Sequence, residues 1–164
     1  MEDRIALRSV DSLDVTILVD NSIDLLMAGS ETVRRADLAR IWSVREPLLA
    51  EHGFSALLTI RENGTTRLVL YDAGLGKDTI LHNMAVLGLS VKDLDAVVLS
   101  HGHWDHHGGL LGLAQAVGKR NLPVVLHPDA WRTRKIVFPS GLGLDLPPPR
   151  RKELEAADVR LLEE

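Results

Sequence analysis

The 164-residue chain contains no cysteine. This absence excludes disulfides, zinc–thiolate sites and a cysteine nucleophile, so any metal ion must be held by nitrogen and oxygen ligands. A long apolar run is also missing. The N-terminal segment MEDRIALRSVDSLD does not resemble a signal peptide, and no stretch approaches the roughly 18 apolar residues of a membrane span. We therefore predict a cytoplasmic protein without a membrane partner.

The chain has no excess of positive charge either. Its formal net charge is −4, which argues against a nucleic-acid binder because such proteins attract phosphates with clustered Lys and Arg. The hydrophobic content of 45% is that of an ordinary folded domain. Composition and length together predict one globular domain of modest size.

Strand and helix signals alternate along the chain. We predict strands at 14–20, 55–61, 66–72, 96–99 and 123–126, a helix that follows DAGLGK and ends at Gly88, and a second helix at 110–117. Asn63-Gly64 suits the hairpin turn between the second and third strands. The other predictions are a long connection with one or two helical turns at 21–50, a short helix at 129–135, a proline-rich loop at 141–150, and a helix or the start of another element at 152–164. This order indicates an α/β (α+β) domain with a mixed sheet and flanking helices.

The segment SHGHWDHHGGL, Ser100 to Leu110, concentrates the polar chemistry of the chain. Four of the seven histidines lie within seven residues, together with an aspartate. The cluster begins directly after a strand predicted to be buried on both faces. Side chains at the carboxyl end of such a strand are held by a rigid scaffold while they face an open crevice. We therefore interpret the segment as a functional site.

The spacing within the cluster indicates a metal site. His101 and His103 can face the same side of an extended loop, whereas Asp105 and His106 follow where the chain turns into a helix. Imidazole and carboxylate ligands suit Zn²⁺ and also Fe or Mn. Four ligands on one short loop cannot wrap a single ion well. They can line one wall of a two-metal site, with His101 and His103 on one ion and Asp105 and His106 on its neighbour.

HGHWDH has the H-x-H-x-D-H pattern and resembles the metallo-β-lactamase superfamily of metallohydrolases. The resemblance extends over about residues 14–135 through LVDN, EHGFSALL, LYDAG, LHNMAVLGL, DAVVLSHGHWDHHGGL and LHPDAW. These segments are most similar to the branch of 7,8-dihydropterin-6-yl-methyl-4-(β-D-ribofuranosyl)aminobenzene 5'-phosphate synthase-like proteins. The resemblance implies an αββα sandwich, in which two halves pack sheet to sheet with the metal ions in the cleft.

The resemblance also implies roles for individual residues. His101, His103, Asp105 and His106 are expected to bind two Zn²⁺ ions in a complete site, with Fe or Mn as alternatives. Asp72, in LYDAG, matches a buried aspartate that supports the metal loop by hydrogen bonding without binding metal. Asp105 is the predicted catalytic residue, which orients the nucleophile and shuttles a proton.

The resemblance is incomplete after the cluster. The family site needs further ligands from the second half, usually a histidine, often a bridging aspartate and a final histidine. The one later histidine, His127, lies in LHPDAW, which is not a ligand position. We therefore expect residues 1–164 to form a single partial domain, in which 141–164 is a loop and the start of a missing second half. Such a half would leave one sheet face uncovered and prone to self-association.

Three functional hypotheses follow. The first is a metal-dependent hydrolase, in which a bridging hydroxide attacks an ester, thioester, amide or phosphoester of a small molecule, such as a phosphorylated or pterin-like substrate. The second is a catalytically incomplete fragment that binds metal weakly, forms homo-oligomers or pairs with a separate second-half chain. The third is an iron-dependent redox member of the same fold. Whether this chain alone is an enzyme is left open.

Other polar residues have simpler interpretations. We expect His107 to support the site or face solvent, and His52 to be packed rather than to enter the cleft. Arg132, Arg134 and Lys135 form a small basic group that suits either a solvated helix face or a substrate phosphate.

Overall fold

A computed structural model describes residues 8–118 and 121–164. Its strands are β1 (Ser12–Val19), β2 (Ser55–Glu62), β3 (Thr65–Tyr71), β4 (Ala96–Val98), β5 (Leu122–Leu126), β6 (Arg134–Val137), β7 (Gly143–Leu146) and β8 (Val159–Glu163). Its α-helices are α1 (Leu38–Val44), α2 (Thr79–Leu87), α3 (Trp104–His107), α4 (Leu110–Val117) and α5 (Arg151–Ala156). Short 3₁₀ turns lie at Val91–Asp93 and Pro128–Trp131.

Six strands form one mixed sheet in the order β1-β2-β3-β4-β5-β8. The first three pair antiparallel, whereas β3, β4, β5 and β8 run parallel to one another. Helices connect the parallel strands, as the crossover between parallel neighbours requires. The predicted fold class, a mixed sheet with flanking helices, is therefore confirmed.

The hairpin between β2 and β3 follows from its turn residues. Asn63 and Gly64 have φ values of 49° and 75°. Positive φ at both central positions gives the turn the backbone twist that suits a two-residue hairpin. The turn sets Leu57 opposite Leu70 and Leu58 opposite Val69, so each face of the hairpin receives a matched set of apolar side chains.

The hydrophobic core lies between one face of the sheet and the helices. The sheet contributes Leu57, Leu70, Val97 and Val124, which are adjacent across four neighbouring strands and almost fully buried. The helices contribute Ile80 and Met84 from α2, Leu110, Leu113, Ala114 and Val117 from α4, and Leu154 from α5. This packing fixes the parallel strands, whose carboxyl ends carry the polar cluster.

The other face of the sheet is also apolar, and we call it the open face. It includes Leu13, Val15 and Ile17 of β1, whose side chains are 49–54% exposed, and the half-buried Leu58 and Ile60 of β2. Strand pairing places Leu13 beside Ile60 and Val15 beside Leu58, so these side chains form a continuous surface. The apolar face is therefore accessible at this edge of the sheet.

The segment after residue 128 corrects two predictions. The short helix expected at 129–135 is instead a 3₁₀ turn followed by β6, and the loop expected at 141–150 contains β7. These strands pair through the register Ile136 with Leu144 and Val137 with Gly143. The wrong predictions have a physical reason: both strands have only four residues, and their stability comes from pairing with each other rather than from local propensity. The last segment forms α5 and β8.

The predicted helical turn in the 21–50 connection is α1, and the predicted helix at 110–117 is α4 with the same bounds. Over the part of the chain that the structure describes, every helix is too short or too polar to span a bilayer.

Candidate metal centre

The polar cluster lies at the carboxyl edge of the parallel part of the sheet. β4 ends at Val98, and residues 100–103 continue as an extended loop into α3, which carries Asp105 and His106. β3 is the parallel neighbour of β4 and ends at Tyr71, so the next residue, Asp72, emerges at the same edge. Two strand ends therefore bring together residues that are about 30 positions apart in the sequence.

Asp72 is the hydrogen-bonding centre of this edge. Asp72 is 1% exposed, and its Oδ1 accepts a 2.7 Å hydrogen bond from the backbone N–H of Ser100. Its Oδ2 lies 2.6 Å from Ser100 Oγ and 2.8 Å from His106 Nδ1. The Asp72 φ of 58° is in the left-handed region, which aspartate tolerates better than most side chains. With Nδ1 held by Asp72, the Nε2 atom of His106 is directed toward the rest of the cluster.

His101 contacts both other histidines of the predicted ligand set, His103 and His106. His101 Nε2 lies 2.9 Å from His103 Nδ1, and the ring centroids of His101 and His106 are 4.2 Å apart. Burial lowers the pKa of His101, and the neighbouring His106 and His103 lower it further by charge repulsion. The lowered pKa favours a neutral imidazole, which is the protonation state that binds metal ions.

Asp105 faces the same space from α3. Its Oδ2 lies 3.4 Å from His106 Nε2 and 3.6 Å from His52 Nε2. A backbone hydrogen bond holds the His52 segment next to Asp105, because the Phe54 N–H donates to the Asp105 carbonyl at 3.2 Å. A Cβ on Gly53 would stand 2.5 Å from that carbonyl oxygen, and Gly53 has a φ of 146°, so both space and conformation require glycine.

Glu51 fastens the loop that follows Asp72. Its carboxylate accepts hydrogen bonds from the backbone N–H groups of Leu75 and Gly76, at 2.8 Å and 3.0 Å, and from Thr79 Oγ1 at 2.7 Å. The Ala73 N–H at the start of this loop donates a 2.7 Å hydrogen bond to the His106 carbonyl. Glu51 therefore holds the loop against which the histidine segment packs.

The donors present suit a metal ion, although the side chains do not form a finished ligand set. Within residues 8–118 and 121–164, no three histidine or acidic side chains are arranged as a group that could hold an ion. The adjacent imidazoles of His101, His103 and His106 and the Asp105 carboxylate are nevertheless the ligand types that zinc, iron and manganese share. The contact between Asp72 and His106 is of the kind that orients metal-binding imidazoles. The cluster thus fits one wall of a metal site.

Comparison with known proteins identifies the family. A family model described as the metallo-β-lactamase superfamily matches residues 51–163. The chain belongs to the metallo-β-lactamase superfamily. The matched segment contains both strand ends and the complete histidine cluster of this member.

Two curated relatives of this metallo-β-lactamase superfamily chain come from Methanocaldococcus jannaschii. One is named 7,8-dihydropterin-6-methyl-4-(beta-D-ribofuranosyl)-aminobenzene-5'-phosphate synthase and is 31% identical over 107 residues, which cover 61% of this chain and 36% of the relative. The other is an uncharacterized protein, 34% identical over 117 residues, which cover 70% of this chain and 42% of the relative. The expected resemblance to the synthase-like branch is confirmed. The chain spans well under half the length of both relatives.

Solved structures of similar proteins include the Rm3 metallo-β-lactamase, with 26% identity, a TM-score of 0.45 and coverage of 71% of this chain and 41% of that chain. A quorum-quenching N-acyl homoserine lactone lactonase has 16% identity, a TM-score of 0.38 and coverage of 66% and 44%, respectively.

The structure places the five predicted side chains of this superfamily member in one connected cluster: His101, His103, Asp105, His106 and Asp72. Their roles as metal ligands, catalytic residue and support remain predictions. His52 differs from its prediction, since it is largely exposed and stands beside Asp105 rather than packed in the core. Its position follows from the close backbone contact at Gly53.

Sequence reasoning missed Ser100, Glu51 and the part played by Arg134. Ser100 contacts both Asp72 and His101, at 2.6 Å and 2.8 Å. Its place between the buried strand and the first histidine was a usable signal. Glu51 directly precedes the His52-Gly53 pair and offered a similar one. Arg134 was noted as part of a basic group, but no local signal indicated this role, because its partners are backbone carbonyls from separate segments.

His107 is the last residue of α3 and is buried, unlike the three histidines of the cluster. The residue is 6% exposed, so it does not face solvent, and among the described residues its Nε2 has no hydrogen-bond partner. Burial lowers its pKa and thus favours the neutral ring. The structure gives His107 the environment of a packed residue.

Proposed function

We propose that this chain contributes the metal-binding edge of a metal-dependent hydrolase. The observation that carries the proposal is the set of contacts of the Asp72 carboxylate. It hydrogen-bonds to His106 Nδ1 and to the backbone N–H and hydroxyl of Ser100. A buried carboxylate placed in this way orients an imidazole more rigidly than solvent would. His101 and His103 then stand beside His106 with a neutral His101 favoured by burial.

The proposed ligands are His101, His103, Asp105 and His106, and the proposed metal is zinc, with two ions in a complete site and iron or manganese as alternatives. When bound, such ions act as Lewis acids and make a water nucleophilic near neutral pH. Asp105 is the proposed proton carrier, because its Oδ2 lies 3.4 Å from His106 Nε2 and 3.6 Å from His52 Nε2, on the side of the cluster where the exposed His52 stands. His52 is exposed and is free to contact a substrate from this side.

The proposed bond type is an ester, thioester, amide or phosphoester. A phosphorylated or pterin-like substrate is suggested by the name of the Methanocaldococcus jannaschii relative. That name describes a synthase, so a synthetic reaction of similar compounds is the principal variant of the proposal. Fluorescence titrations can compare the binding of a reduced pterin with that of a simple aryl phosphate. Preferential binding of the pterin would indicate a pterin-directed site, and equal binding would indicate a general phosphoesterase.

Metal content is the first test. The chain is purified without a histidine tag, in parallel with a His101→Ala/His103→Ala variant, and both are measured by elemental analysis. We expect zinc, iron or manganese at near-stoichiometric amounts in the parent and a loss in the variant. His82→Ala is the control, because His82 Nε2 contacts the Pro47 carbonyl instead of the cluster. Folded parent protein without metal would contradict the proposal, whereas bound metal leads to assays on aryl phosphates and carboxylic esters.

A second candidate function is metal binding without catalysis until a further chain completes the site. One observation favours it: the apolar open face remains accessible. Hydrolysis by the metal-loaded chain alone, abolished in the double-histidine variant, would exclude this candidate. An iron-dependent redox function is separated from both by the metal identity found in the same elemental analysis.

A further inference from the structure

Arg134 makes an extensive set of contacts with the backbone beside the histidine cluster. Its Nη1 donates hydrogen bonds to the carbonyls of Gly102, Ala130 and Arg132, at 2.8 Å, 3.3 Å and 3.0 Å, and its Nη2 donates to the Asp129 carbonyl at 3.1 Å. The acceptors belong to two separate segments, the histidine loop and the 3₁₀ turn at Pro128–Trp131 with the residue after it. One side chain thus joins both.

The contact with Gly102 is tight and specific. Gly102 is buried, and a Cβ on it would overlap the Ala130 carbonyl and stand 2.6 Å from Arg134 Nη1. Only a residue without a side chain allows the loop to approach the 3₁₀ turn so closely. Because Gly102 is a buried residue, its carbonyl would lose a hydrogen-bond partner without Arg134, at a cost to the folded state.

Gly102 stands between the first two proposed ligands. On the other side of His101, the N–H and hydroxyl of Ser100 are fixed by Asp72. His101 is therefore bracketed by two anchored neighbours, one held by a carboxylate and the other by a guanidinium. A guanidinium suits the second anchor because its planar fork can serve several carbonyls at once, which a lysine ammonium on a flexible stem cannot do with the same geometry.

We propose that Arg134 is a positioning residue that sets the backbone of His101 and His103 for metal binding. It forms no salt bridge with an acidic side chain among the described residues, so its charge is committed to carbonyls of the site rather than to a surface pair. This inference rests on the proposed function, since it assigns Arg134 to the same metal centre. It replaces the interpretations of Arg134 as a solvated cation or a phosphate contact.

The test compares Arg134→Ala and Arg134→Lys with Arg132→Ala. Arg132 is a matched control because its side chain is 74% exposed and pairs with the Asp129 carboxylate at 3.1 Å. Zinc affinity is measured by competition with a chromophoric chelator. Since loss of a residue that orients metal ligands typically weakens metal binding about 10–100-fold, we expect a change of that size in Arg134→Ala, a smaller one in Arg134→Lys and none in Arg132→Ala.

Chemical rescue distinguishes positioning from a general loss of structure. Guanidinium chloride at low, non-denaturing concentration should restore part of the zinc affinity of Arg134→Ala, whereas sodium chloride at equal ionic strength should not. Unchanged zinc affinity in folded Arg134→Ala would overturn the proposal. So would equal recovery with both salts, because the effect would then be one of ionic strength.

A second readout does not depend on metal. In the metal-free protein, hydrogen exchange of the amides at 101–106 should accelerate in Arg134→Ala and stay at parental rates in Arg132→Ala. If the parent binds no metal, the proposed function fails, while the exchange data still decide whether Arg134 holds the loop. Parental exchange rates at 101–106 in Arg134→Ala would overturn the positioning role by themselves.

Discussion

Asp72 and Ser100 are joined by two hydrogen bonds, from the Ser100 N–H to Asp72 Oδ1 at 2.7 Å and from the Ser100 hydroxyl to Asp72 Oδ2 at 2.6 Å. This pairing ties Asp72, which directly follows β3, to Ser100, which follows β4 after the buried residue Leu99. The same carboxylate also contacts His106. One buried charge therefore links the sheet to the proposed metal loop from both ends of the histidine cluster.

Replacing this charge should separate folding from metal binding. The asparagine introduced by Asp72→Asn can adopt the same positive φ, but its amide nitrogen cannot accept the hydrogen bonds that the second carboxylate oxygen receives. Loss of a buried acceptor costs about 1–3 kcal/mol, so we expect a lower free energy of unfolding in the metal-free protein. Urea unfolding measures it.

The same variant should bind zinc about 10–100-fold more weakly, as found for residues that orient metal ligands. Ser100→Ala is the companion variant, because it removes the hydroxyl contacts with Asp72 and His101 while the backbone contact remains. We expect an intermediate effect from it. Parental zinc affinity in folded Asp72→Asn would refute a role of the carboxylate in ordering the site.

Glu51 should be important for stability although it is not a proposed ligand. Glu51→Ala removes the acceptor for two backbone N–H groups and the Thr79 hydroxyl, all partly buried. We expect a loss of about 1–3 kcal/mol, because buried donors are left without partners. Denaturant unfolding checks this, with Glu31→Ala, on an exposed residue, as the control. Equal stability of both variants would show that water replaces the carboxylate at no cost.

Local sequence signals predicted the elements that are stabilised locally. Asn63-Gly64 specifies a hairpin turn through its own backbone preferences, and the 110–117 helix ends at a glycine, so both agree with the structure. The β6–β7 hairpin was missed because its strands are short and end near a proline run. Neither strand is predicted by its own sequence, because each one is stabilised by pairing with the other.

The candidate site shows the same division. The histidine cluster is contiguous in the sequence and could be recognised there, together with Asp72 through its motif. The contacts of Arg134 and His52 depend on how distant segments approach one another at Gly102 and Gly53. A glycine that permits close backbone approach leaves no periodic pattern, so these contacts could not be derived from the sequence.

Mild acid should destabilise the metal-free chain through its buried imidazoles. Burial lowers the pKa of His107 below its ordinary value near 6.5. As pH falls below about 6.5, the unfolded chain takes up a proton at this residue before the folded chain does, and folding stability falls. The contribution is complete above the unfolded pKa and is lost as pH falls toward the folded pKa.

His107→Gln, which cannot titrate, should therefore show a weaker decline of stability between pH 7.5 and about 5.5. Most carboxylates stay ionised over this interval, so the comparison isolates histidines. Urea unfolding of parent and variant at several pH values gives the difference. An identical pH dependence would mean that His107 titrates alike in the folded and unfolded chains. We expect His101, whose pKa is also lowered, to contribute to the decline that remains.

The open face should drive self-association of the isolated chain. Leu13, Val15 and Ile17 form an exposed apolar row on the edge strand β1, and contiguous apolar surfaces of this kind mark interaction sites or cause aggregation. We expect the apparent mass in light scattering to rise with protein concentration.

The double variant Val15→Thr/Ile17→Thr should lower this apparent mass with little change in stability, because both side chains are already half exposed. Val137→Thr, on an exposed residue of the separate β6–β7 hairpin, is the matched control. If the parent stays a monodisperse monomer at all concentrations, this surface does not drive association, and the second candidate function loses the support that the open face gives it.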